Sequence, residues 1–393
     1  MSDNSNVGNN IRKIFGIDHQ GRGKRDPLNI WVPLVSIALA LLVGMIIIAI
    51  SGRNPFVAYK LLFGGSGLFP HDQYAKRDFA DLLVKSALYI APGLAVAFAF
   101  QGGLFNIGAE GQFWVGAIVA TFFGYCKPFA SFPPILHSGI CLIMGMLAGG
   151  AWGALAGYIK VKRGVNEVIT TIMLNWIAWY LITNWLVTGP MTPSSQTYTS
   201  GSYYITDSAK LRGILSGTRL NTSIIIVLLA AYATWFLLYK TTVGYEIRAI
   251  GHTSAIGMEA PRAQGINIDR RIVQTMFFSG CLAAMGGAFF ILGVQFQFPN
   301  TAVMGYGWTG ISIALIGQSE PFGVVLAGLF IGAIRTGATS IQIANIPKTF
   351  SDVIEGLAVG YIALLSAVRY HLIKIRQHHK KTAPPAEGKE VTA

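Results

Sequence analysis

"IWVPLVSIALALLVGMIIIAI", residues 30–50, runs for 21 residues without a charge. A stretch of about 20 apolar residues is what an α-helix needs to cross a bilayer. In lipid its backbone polar groups have no water to bond, so they must bond one another as a helix. Similar runs follow near 79–100, 105–126, 135–158, 167–188, 222–239, 272–293, 322–340 and 350–368. A tenth, 308–317, is too short to cross alone. With the turn "GQSEP" (317–321) after it, 308–340 reads as a short or broken helix joined to a full one. The expectation is an all-α, polytopic integral membrane protein with about ten transmembrane helices.

Composition agrees. Hydrophobic residues make up 52% of the 393-residue chain and charged residues only 12%, with 46 glycines, a balance foreign to a soluble domain. The polar leader of 29 residues is too long, and the first span too extended, for a cleaved signal, so that span is expected to remain as a helix. Three separated cysteines, Cys126, Cys141 and Cys281, form no CxxC pair and read as packing residues.

The net charge of +13 suggests nucleic acid until its placement is considered. With the amino terminus inside and the spans alternating, 19 lysines and arginines fall inside and nine outside, while Lys85 and Arg335 lie within spans. That asymmetry places both termini in the cytoplasm. The chain then divides into a cytoplasmic leader (1–29), a membrane domain (30–370) and a disordered cytoplasmic tail (371–393). No soluble domain interrupts the spans, so function must lie among the helices. The outer segment "NPFVAYKLLFGG" (54–65) reads as a short surface helix. The loop 190–213, rich in Ser, Thr, Tyr and Gly, reads as an external docking loop.

Gly145, Gly149, Gly153 and Gly157 recur every fourth residue, so one face of the fourth helix can approach a neighbour closely. Gly328 with Gly332, and Gly356 with Gly360, repeat the spacing. Pro92 is expected to kink the second span.

Phosphate-loop, HExxH and GxSxG motifs are absent, and so is any His/Cys cluster at metal spacing. The exceptional residues are polar ones inside apolar runs. "LFNIGAEGQFWVG" (104–116) carries Asn106, Glu110 and Gln112. Buried polar groups in a membrane face a bundle interior or a wet cavity and mark a substrate path. Read as a helix, Asn106 and Glu110 share a face. Glu110 fits two roles, a brace for a broken helix or a substrate contact. Asn175 and Trp176 offer an amide and an aromatic face to an uncharged hydrogen-bonding ligand, although Trp176 also fits packing. Arg335 either lines a cavity or snorkels outward. Asp352 and Glu355 suit a helix start. In the loop 241–271, Thr253 is a capping candidate for a short helix, interrupted by Gly257 and Pro261 and closing at Gly265.

Taken together, "LFNIGAEGQ" (104–112), "GVNEVITTIMLNWIA" (164–178) and "GYEIRAIGHTSAIGMEAPRAQGI" (244–266) resemble the permease subunits of ATP-binding-cassette importers. The nearest group is the nucleoside and simple-sugar permeases that work with purine-nucleoside-binding lipoproteins. The resemblance spans roughly 30–370. It implies a bacterial plasma-membrane protein forming one half of a two-permease, two-ATPase importer, and a substrate path through Asn106, Glu110, Gln112, Asn175 and Trp176. It also implies a coupling helix at 253–265, with Thr253, Ser254, Ala255, Gly257, Glu259, Ala260 and Gly265 facing the ATPase. Gly257 stands where alanine is more usual, and Pro261 and Gln264 also vary the pattern. The implied partners are a cytoplasmic ATPase, a second permease, an external substrate-binding lipoprotein and membrane lipid, with no nucleic acid. This chain would need no cofactor, because ATP is used by the partner subunit, and would perform no covalent chemistry. Nucleosides are the expected cargo and simple sugars the alternative. An ion-driven secondary carrier, the rival class, would want an acidic relay, for which Glu110 is almost the lone deep candidate.

Overall fold

A computed structural model describes residues 28–68, 75–193, 201–253, 259–299 and 305–382. The α-helices of five or more residues, in chain order, are α1 (Leu28–Ile50), α2 (Pro55–Gly64), α3 (Ala75–Gln101), α4 (Ala109–Tyr125), α5 (Pro134–Arg163) and α6 (Glu167–Leu181). They continue with α7 (Ser223–Lys240), α8 (Thr242–Thr253), α9 (Glu259–Ala263), α10 (Ile268–Phe290), α11 (Tyr306–Ile316), α12 (Pro321–Gly337) and α13 (Phe350–Thr382). π-helical turns, Ile182–Val187 and Ile291–Gln295, extend α6 and α10. The described residues form no strand, only two isolated bridges, Gly201 with Pro299 and Gly213 with Asn221. Among the described residues, six helices are long and apolar enough to cross a membrane: α1, α3, α5, α7, α10 with its extension, and α13 as far as Val368. The expected leader lies almost wholly outside the described residues. The expected tail boundary at 370 falls inside α13.

Burial separates centre from periphery. The spans of α3 and α10 are 83% and 78% buried, whereas α1 is 22% buried and lies outermost, against α13. The glycine ladder of α5 accounts for part of this. A Cβ on Gly149 or Gly153 would overlap Ala284 or the Met276 carbonyl of α10, and one on Gly145 would come within 2.9 Å of the Gly116 carbonyl of α4. Backbones therefore meet where lipid supplies no hydrophobic drive. Gly328 and Gly332 pack likewise on Ile90 and Ser86 of α3. Gly356 and Gly360 on α13 meet nothing, so their face is open in this chain. Helix α3 continues through Pro92, whose backbone and ring are covered by Gly310 of α11.

The main departure from the sequence reading lies at 102–108. The apolar run 105–126 reads as a full span, yet the helix begins only at Ala109 and is 17 residues long. Asn106 Oδ1 accepts the Gly108 N–H at 2.9 Å, a local bond that competes with helix formation. Its amide also donates to Ser279 Oγ at 2.7 Å, and Ser279 donates to the Ala95 carbonyl at 2.6 Å. Ser279 lies eleven residues into α10, about 16 Å from its start at 1.5 Å per residue. The chain after Gln101 therefore climbs back into the bundle, and α4 starts in its middle. Asn106 and Glu110 do not share a helical face, because Asn106 precedes the helix.

At the end of the bundle that carries α8 and α9, Thr253 is the last residue of α8. Its hydroxyl bonds back to the Ala249 carbonyl at 2.8 Å instead of capping a new helix. Gly265 does close α9, with φ of 77° and its N–H on the Arg262 carbonyl at 3.0 Å. Ser254, Ala255 and Gly257 lie outside the described residues. At the opposite end, the segment 201–213 packs onto the bundle. Ser202 N–H bonds the Phe298 carbonyl at 3.0 Å, Leu211 N–H bonds Leu292 at 2.9 Å, and Ser208 Oγ lies 2.8 Å from Nδ1 of the buried His137.

Candidate functional site

Two short helices begin in the bundle interior, and their amino ends meet at Glu110. One is α4, with Glu110 in its first turn; the other is α11. Glu110 Oε1 accepts from Trp114 Nε1 at 2.7 Å and from the Gly305 N–H at 2.8 Å. Oε2 accepts from Gly307 N–H at 2.6 Å and Trp308 N–H at 3.4 Å. The side chain is fully buried. Helix starts leave unpaired N–H groups and a partial positive charge, and a carboxylate answers both. Gly307 permits the approach, since any Cβ there would overlap the backbone of Glu110. The Trp114 ring, also fully buried, is surrounded edge-on by Trp179, Phe290 and Phe298 and fixes the indole N–H toward the carboxylate.

The other interior amides serve the same junction. Asn106 Nδ2 donates to Gln112 Oε1 at 2.9 Å, and Gln112 Nε2 returns to Asn106 Oδ1 at 3.2 Å. Asn175 on α6 accepts from Gly111 N–H at 2.8 Å and donates to the Ile107 carbonyl at 2.9 Å. Asn106, Glu110, Gln112 and Asn175 thus cluster around the start of α4, each at most 1% exposed, Asn106 and Gln112 bonded to one another, Asn175 to backbone groups, and Glu110 to Trp114 and the start of α11. Such a network offsets the cost of removing its members from water because each polar group finds a partner.

Trp176 is placed differently. It is 46% exposed, on a face of α6 that also carries Tyr180, whose ring stacks on it at 6.0 Å and 28°. Asn184 and Trp185 continue that exposed face. Trp308, at the start of α11, is 41% exposed. Arg335 points toward α13 and not to lipid. It pairs with Asp352, bonds Glu355 Oε2 at 2.7 Å and lies 6.0 Å from the Tyr89 ring. Of the residues expected to couple to an ATPase, Thr253 and Gly265 lie on either side of α9, Ala260 on α9 is exposed, and the backbone of Glu259 opens that helix.

Sequence reading missed Trp114, Ser279, Gly305, Gly307 and Tyr180. Tyr180 had a signal, four residues after Trp176 on the same face. Ser279 and the glycines of α11 had none, being 169 to 197 positions distant from Glu110 in the chain.

The family described as "Branched-chain amino acid transport system / permease component" matches residues 79–362. The chain belongs to this permease family. Its relatives include the guanosine ABC transporter permease protein NupP of Bacillus subtilis, 34% identical over 88% of this chain and 96% of the relative. The nucleoside ABC transporter permease protein NupB of Lactococcus lactis is 28% identical, with 91% and 97% covered. The glucose ABC transporter permease protein TsgB13 of Haloferax volcanii is 26% identical, with 91% and 93% covered. No solved structure matches. The permease is thus a multi-pass membrane protein of the ABC transporter class, and its relatives are transport components and not enzymes.

Proposed function

We propose that this permease forms the translocation path for nucleosides in an ATP-driven importer. The observation that carries this reading is the 34% identity, across nearly the whole chain, to a permease named for guanosine. The geometry supports a neutral cargo. In transporters with broken helices, paired helix starts often hold an anionic substrate group. Here that seat is filled by the protein's own Glu110. The interior set Asn106, Glu110, Gln112 and Asn175 then braces the junction, while Trp176 and Tyr180 offer stacking faces to a nucleobase along the open side of α6.

In this reading the α8 end is cytoplasmic, as are both termini, and 253–265 engages a separate ATPase that spends the ATP, so this chain carries no cofactor. A second permease covers the open faces of α6 and α13, and an external substrate-binding lipoprotein delivers cargo to the opposite end. The glucose-permease relative favours a second reading, a simple sugar. The test is uptake of labelled guanosine by the complex reconstituted with its ATPase and binding protein. ATP-dependent uptake that excess guanosine suppresses and excess glucose or ribose does not is the expected result; the reverse pattern overturns it. Replacing Ala255 and Gly257 by bulky residues should leave ATP hydrolysis running while uptake stops. Unchanged uptake would remove the coupling role.

A further inference from the structure

Helix α11 is held at both of its ends by the same short segment of chain. Glu110 holds its start, and Gln101, nine positions earlier, donates through Nε2 to the Ser319 carbonyl at 3.0 Å, just past its finish. Gln101 is 6% exposed and Ser319 4%. The turn there, Gly317 to Glu320, places two consecutive non-glycine residues, Gln318 and Ser319, at φ of 53° and 55°. That region is disfavoured for side chains other than Gly and Asn, so surrounding contacts must hold it. One such contact is the Gln101 bond. Another comes from α7, where Tyr239 Oη donates to Glu320 Oε1 at 2.7 Å.

Both holding residues are themselves gripped by α8. Gly251 sits against the Gln101 carbonyl, and a Cβ on it would come within 3.0 Å of the Gly103 N–H, so no larger residue fits. Arg248 donates to the Leu238 carbonyl at 2.9 Å and lies over the Tyr239 ring at 4.8 Å. The residues after α8 are those of the loop 253–265.

We infer that Gln101 and Tyr239 are positioning residues that pass a displacement of α8 to the turn 317–320, and through α11 to the junction at Glu110. The pair fixes the finish of α11, Glu110 fixes its start, and α11 with residues 101–110 moves as one piece. This rests on the chain being an ATP-driven permease and not on the identity of its cargo.

The test uses the reconstituted permease–ATPase complex, in a background where Cys126, Cys141 and Cys281 are replaced. Spin labels at Trp308→Cys on α11 and Leu147→Cys on α5 report their separation with and without ATP trapped by vanadate. The wild-type background should change separation. Gln101→Met, of similar length but with no donor, combined with Tyr239→Phe, should lose at least half of that change while ATP hydrolysis stays within about twofold. An undiminished change in this variant overturns the inference. In a second arm without labels, Gln101→Met with Tyr239→Phe should show at least a tenfold lower guanosine uptake per ATP hydrolysed than the parent. Undiminished uptake per ATP in that variant also overturns it. If the unlabelled parent takes up no guanosine, the cargo reading falls and the distance arm alone decides the inference.

Discussion

Replacing Glu110 by alanine removes the acceptor for four donors: the Trp114 indole and the N–H groups of Gly305, Gly307 and Trp308. Three of these bonds are 2.6–2.8 Å long and the fourth, at 3.4 Å, is weak. A buried donor left unpaired costs about 1–3 kcal/mol, and three such donors in one place, with partial relaxation, give a loss of about 3–5 kcal/mol. At about 2 °C per kcal/mol, the low end of the range because the chain is large, the midpoint of thermal unfolding in detergent should fall by roughly 6–10 °C. Glu110→Gln keeps one acceptor oxygen but turns an NH₂ toward donors, so it should lose roughly half as much. Added formate should restore part of the alanine variant's stability, because it returns a carboxylate to two helix starts. An alanine variant within about 2 °C of wild type, by the scale used above, would refute the account of the junction. So would a glutamine variant less stable than the alanine one.

Gly149→Leu should abolish accumulation of folded protein, since the ladder on α5 leaves no room against α10, whereas Gly360→Leu should fold normally; membrane-fraction fluorescence of a fused reporter reads both. Trp176→Ala with Tyr180→Ala should raise KM for guanosine uptake about tenfold, as expected from loss of one or two aromatic contacts worth about 1.4 kcal/mol together, with the unfolding midpoint unmoved. Arg335→Met should destabilise more than the triple change Arg335→Met, Asp352→Asn, Glu355→Gln, because the single change strands the buried Glu355 carboxylate beside the half-exposed Asp352; equal midpoints would show that the cluster contributes no pairing.

Much of this protein was legible in its sequence because lipid permits few solutions. An uncharged run such as 30–50 must be a helix, glycines four apart must line one face, and Asn106, Glu110 and Gln112 had to be enclosed, so class, helix placement and the important segment could all be read locally. Where α4 begins could not. Its apolar run continues back to Leu104, but the Asn106 side chain bonds its own backbone and Ser279, which only packing brings near. Nor could a linear reading show that the carboxylate of Glu110 answers a helix nearly 200 residues later, or that Thr253 ends one helix instead of starting the next. Hydropathy reports what each residue prefers as solvent. Which donor meets which acceptor is decided by the meeting of distant backbones, and that information exists only once the bundle has closed.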